Sequence, residues 1–175
     1  MNRNLRFLCR GALIAALYVV LTWLCSLVGL DKGVIQMRLS EALCVLPAFT
    51  GAAVPGLFAG CLLANLLTGS ALPDIIFGSL ATLIGALGAY ALRKNKWLVP
   101  LPTVLANVLI IPPVLRFAYG VEGTIPYFML TVGIGEVISA YICGMLLYAA
   151  VNLRKAQLFG QIPARRPLSG LTSPS

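Results

Sequence analysis

Histidine is absent from all 175 residues, and only five residues are acidic. Without imidazole the chain lacks the commonest general base and metal ligand, and schemes that hang a zinc or a haem on histidine fall away with it. No G-x-x-x-x-G-K-[ST] stretch is present, so no loop is built to cradle the phosphates of ATP. Charge of either sign is scarce, at 10% of residues against roughly 25% in soluble domains. Cys9, Cys25, Cys44, Cys61 and Cys143 show no C-x-x-C spacing and read as reduced, small hydrophobes within helices. The missing histidines and the lack of a paired carboxylate motif also argue against an intramembrane enzyme.

What is present is apolar. Hydrophobic residues make up 59% of the chain, and the mean hydropathy is +0.94. A bilayer core takes about 20 consecutive apolar residues in helical form, and the charge-free runs 11–30, 42–73, 75–92 and 97–115 meet or approach that length, as does 123–153, broken by Glu136 alone. The run 42–73 is too long for one span and carries Pro47, Gly51, Pro55 and Gly56 in its middle, so it divides in two. The fold class expected is an all-α membrane protein with six helices at 7–30, 35–49, 54–67, 73–92, 97–117 and 124–153. The N-terminal run has the basic lead of a signal peptide, but it is about twice too long and no small-x-small cleavage site follows. It counts as the first helix.

Basic residues are held on the cytoplasmic side of a membrane. With the N-terminus inside, the inner segments hold Arg3, Arg6, Arg10, Arg93, Lys94, Lys96, Arg154, Lys155, Arg165 and Arg166, and the outer segments hold Lys32, Arg38 and Arg116. Six spans return the C-terminus to the same side. The net charge of +8 then reflects topology and anionic lipid and requires no nucleic acid. Residues 1–156 form the expected transmembrane domain. The stretch 157–175, with Pro163, Pro167 and Pro174 among Ser, Gly and Arg, reads as a disordered cytoplasmic tail.

An ionisable residue inside a membrane is a functional candidate by default, because burying its charge costs on the order of 2.5–3.5 kcal/mol on insertion scales. Glu136 sits in mid-span behind Gly133 and Gly135. It is either a ligand group or one half of a structural ion pair with Arg38 or Arg116. Arg38 and Glu41, three apart on one helix face, are able to pair with each other. Asn65 and Asn107 are either interhelical hydrogen-bond glue or ligand groups. On the derived topology Arg38, Glu41, Asn65, Asp74 and Arg116 fall in the outer half, with Asn107 and Glu136 near the midplane. The inner half has no matching set, which describes a capture protein better than a channel. The pairs Ala12 and Ala16, Gly56 and Gly60, and Ala81 and Gly85 form small-xxx-small stripes that permit close helix contact. No repeat of two similar halves is visible, which counts against the alternative of an autonomous ion- or proton-coupled carrier with Glu136 as its relay.

The stretches RLSEAL at 38–43, PGLFAGCLLANL at 55–66, DIIFGSLATL at 74–83 and GIGE at 133–136 resemble the QueT family, over about residues 8–153. That resemblance implies a queuosine-precursor transporter that works as the substrate-binding S component of an energy-coupling factor (ECF) importer in the plasma membrane. The implied partners are a transmembrane T component, met by Ala12 and Ala16, and two cytoplasmic ATPases that use the ATP. The chain itself is expected to carry no cofactor. The implied ligand is a deazaguanine base, whose adjacent N–H and amino donors suit a carboxylate. Glu136 is the expected carboxylate, with Asn107 and Asn65 on the remaining edge atoms and Arg38 or Glu41 closing the outer side. Asp74 or Glu41 would receive an aminomethyl cation, and Tyr127, Phe128 or Tyr141 would stack on the ring.

Overall fold

The computed structural model describes residues 2–30, 37–154 and 158, and all regular structure among them is helical. Helix α1 covers Arg3–Leu27, a 3-10 helix Leu39–Ala48, α2 Ala53–Leu67, α3 Leu72–Ala91 and α4 Leu101–Phe117. Helix α5, Ile125–Glu136, runs through a π segment, Val137–Cys143, into α6, Gly144–Leu153. Three helices are long and apolar enough to cross a membrane: α1, α3 and the continuous Ile125–Leu153 rod. At 1.5 Å per residue their 25, 20 and 29 residues extend roughly 38, 30 and 43 Å, against about 30 Å of bilayer hydrocarbon.

Local sequence sets most of the boundaries. Pro73, Pro102 and Pro126 stand in the first turn of α3, α4 and α5, where a missing N–H costs no helical bond. Gly29, Gly69 and Gly120 follow α1, α2 and α4 with φ of 73°, 70° and 63°, left-handed values that side chains resist. Close approach explains other glycines. A Cβ on Gly56 would lie 2.6 Å from the Gly11 carbonyl oxygen, and one on Gly60 would lie 2.8 Å from the Tyr18 Cβ and 3.0 Å from the Ala15 Cα. The expected stripe on α2 is therefore the seam with α1. The expected stripe on α3 is likewise a seam, since Ala81 is fully buried and a Cβ on Gly85 would meet the Thr103 hydroxyl of α4 at 2.6 Å.

These contacts give the bundle two ends. The start of α1, the link from α3 to α4 and the finish of α6 share what we call the terminal end, where the Tyr141 hydroxyl donates to the Trp97 carbonyl at 3.1 Å. The turns α2–α3 and α4–α5 share the distal end, where Ala71 N–H donates to the Tyr119 hydroxyl at 3.0 Å.

The second helix departs from expectation. Instead of an α-helix over 35–49, the chain forms a 3-10 helix that starts at Leu39, and residues 31–36 lie outside the described set. Its rise of about 2.0 Å per residue stretches the same chain farther than an α-helix would. The 3-10 helix touches α1, α2, α3, the π segment and α6, and every residue from position 40 to 47 is buried. Pro47 sits within it, where it offers no N–H. Helix α4 begins at Leu101 instead of 97, because the chain turns through 97–100 first. The tail expected over 157–175 lies outside the described residues apart from Leu158.

Candidate functional site

The buried polar residues gather around the 3-10 helix. Arg38 precedes its first turn and Glu41 lies within it, Gly78 comes from α3, Asn107 from α4, and Glu136 closes α5. Together with Ile111 and Val132 these residues line one small cavity of about 20 Å³. A volume of that order holds about one water molecule.

Each buried carboxylate has a different set of partners. Both oxygens of Glu41 are taken, one by the Tyr18 hydroxyl of α1 and the other by the Cys44 thiol at 3.2 Å. Asp74 Oδ2 accepts from the Arg38 guanidinium at 3.3 Å and from the Tyr119 hydroxyl at 3.3 Å. Glu136 is 8% exposed and its Oε2 has no hydrogen-bond partner among the described residues. The hydroxyls of Thr103 and Ser139 share that condition, but a helical hydroxyl is able to turn toward its own backbone and a carboxylate is not. The Asn107 amide reaches the Glu136 carboxyl, and Glu41 and Arg38 line the same cavity. A buried acceptor left unmatched costs about 1–3 kcal/mol, more when it is charged. The cavity thus presents one strong acceptor, an amide that donates or accepts, and a guanidinium, between the apolar walls Ile111 and Val132.

Of the residues expected at the site, Arg38, Glu41, Asn107 and Glu136 meet at the cavity. Asp74 stands one step back behind Arg38. Asn65 does not line the cavity: it is 1% exposed, donates to the Asp74 main-chain oxygen at 3.4 Å and lies 3.3 Å from where a Gly78 Cβ would be. The local Arg38–Glu41 pair is not formed, because each side chain has a better-placed partner from another helix. Arg116 is remote, donating to the Val121 carbonyl at 3.4 Å from an exposed position. None of Tyr127, Phe128 and Tyr141 lines the cavity; Tyr127 and Phe128 pack edge to face at 5.7 Å, and Tyr141 braces the opposite end. Ala12 and Ala16 are exposed on the outer face of α1, opposite the buried Ile14, Tyr18, Thr22 and Cys25.

Sequence reasoning missed Tyr18, Cys44, Gly78 and Tyr119. Tyr18 and Thr22 stand four apart in an apolar helix, a polar stripe at helical spacing that marks the face turned inward. Thr22 donates to the Ser40 hydroxyl at 2.8 Å and so joins α1 to the 3-10 helix. The cysteines are less inert than expected, since Cys25 accepts from Leu39 N–H at 3.4 Å and Cys61 from the Asn65 amide at 3.6 Å.

Three membrane-length helices and a buried polar cluster describe a helical membrane protein. The QueT transporter family matches residues 8–153, and the chain belongs to that family. No curated protein and no solved structure matches it.

Proposed function

We propose that the chain is the substrate-binding membrane subunit of an ATP-driven ECF-type importer for a queuosine precursor, a deazaguanine base. In this reading six segments cross the plasma membrane with both termini in the cytoplasm, and the distal end opens outward. A T component and two cytoplasmic ATPases supply the energy. The unpartnered Oε2 of Glu136, a residue that lines one cavity with Asn107, is the observation that carries the proposal. A base edge with parallel donors would satisfy that oxygen and its neighbour together, with Asn107 turned to the ring carbonyl. Ligand sites enclose some 300 Å³ or more, so the cavity must widen to admit a bicyclic ring, and the Arg38–Asp74–Tyr119 cluster is what has to part on the distal side. The exposed Ala12 and Ala16 leave α1 free to meet a partner helix.

Calorimetric titration of deazaguanine precursors into purified wild-type protein and Glu136→Gln tests the site. The amide places a donor where an acceptor is required, and affinity should fall by about 2 kcal/mol, roughly thirty-fold. Equal affinity in both proteins would remove Glu136 from the binding site. Recovery of a T component and ATPases with the tagged chain tests the coupling separately; uptake by the chain alone in liposomes would favour an autonomous carrier.

A further inference from the structure

The two largest of the described surface grooves differ in chemistry. The groove at the distal end, about 480 Å³, runs between α3 and α4 and is lined by apolar residues such as Phe77, Pro113 and Phe117. The other, about 620 Å³, lies at the terminal end between the α3–α4 link and α6. Its floor is apolar, with Ile142, Leu146 and Leu153, but Lys96 and Asn152 also line it. Trp97 and Tyr141 flank it, the residue types that settle at the boundary between hydrocarbon and headgroups.

The link is strongly basic. Arg93, Lys94 and Lys96 fall within four residues, and none of the five acidic residues belongs to segment 92–100 or to α6. Lys96 Nζ lies 5.1 Å above the Trp97 ring and the Arg93 guanidinium 4.2 Å above the Tyr90 ring, so cation–π contacts hold these charges against the protein surface. The bond from the Tyr141 hydroxyl to the Trp97 carbonyl ties the link to the rod beside the groove. The result is an apolar groove beside α6 whose lining also holds an ammonium group and a carboxamide.

We propose that this terminal-end groove binds an anionic phospholipid, with an acyl chain along Ile142, Leu146 and Leu153 and the phosphate held by Lys96 and Asn152. The inference rests on the protein's place in a membrane and is independent of its substrate. The distal groove, with no charged residue lining it, should take any acyl chain without regard to headgroup.

The chain has two tryptophans, and Trp23 lies on exposed α1 surface, so Trp23→Phe leaves Trp97 as the single reporter. The full-length variant is reconstituted in phosphatidylcholine vesicles that contain phosphatidylglycerol, with bromine on the acyl chains of one lipid or the other at equal mole fraction. Brominated phosphatidylglycerol should quench Trp97 as if enriched about five-fold over its bulk fraction, the preference expected of one cation beside an anionic headgroup. Adding Lys96→Gln should bring quenching by the two lipids to the same level while leaving quenching by brominated phosphatidylcholine in place, with an unchanged melting temperature showing that the variant is folded. Equal quenching by both lipids before that change would reduce the groove to ordinary bilayer contact and overturn the proposal. Quenching by neither would overturn it as well, and would point to a second copy or a partner subunit as the occupant.

Discussion

Glu41, Asp74 and Glu136 share burial, and their partners separate their roles. Glu41 gives both oxygens to protein donors, so Glu41→Gln should turn an amide N–H toward the Tyr18 hydroxyl or the Cys44 thiol. Ligand-free stability should fall by about 1–3 kcal/mol, read as a lower melting temperature in detergent, whereas Glu136→Gln should melt close to wild type because the Glu136 Oε2 accepts from no described donor. Tyr119 joins the distal turns by accepting from Ala71 N–H and donating to Asp74. Tyr119→Phe keeps the ring and deletes both bonds, so radiolabelled ligand should enter and leave faster, with affinity changed less than by Glu136→Gln; unaltered rates would remove Tyr119 from the entry path. Glu136 was legible in the sequence because a single acid interrupts an otherwise charge-free run. The partners of Glu41 and Asp74 were not. Tyr18 and Tyr119 stand 23 and 45 positions from the carboxylates they bind, and nothing local to either tyrosine encodes that meeting.

At the scale of elements, the α-helices followed from runs of apolar residues punctuated by proline and glycine, and the sequence placed the bounds of α2 and α3 within a residue or so. The 3-10 helix escaped for a physical reason. A helix declares its period through alternation between a wet face and a dry one, and where each residue of 40–47 is buried no such alternation exists to distinguish three residues per turn from 3.6. The two faces of α1 make separate predictions. Gly60→Ala should push a methyl group into Tyr18 and the Ala15 backbone and lower stability by about 1–3 kcal/mol through overpacking, measured by thermal unfolding. Ala12→Leu or Ala16→Leu, on the exposed face, should leave melting and substrate binding near wild type and abolish energised uptake. Loss of binding together with uptake would assign that face to packing within the chain.

For the whole molecule, the basic residues predict the orientation. A thiol introduced as Ser175→Cys should resist impermeant maleimide added to intact cells, and Lys32→Cys should react; labelling at position 175 from outside would invert the topology. The same arrangement brings the 3-10 helix to the centre, in touch with α1, α2, α3, the π segment and α6. That position governs how the gene tolerates change. An amphipathic helix accepts substitution at the positions on its free face, so a saturation library records a comb with teeth every three or four codons. Codons 40–47 have no free face to offer, and their profile should be an unbroken trough. Laboratory evolution toward a new substrate would then find its openings at Ile111 and Val132, on walls of the cavity that carry no polar partner.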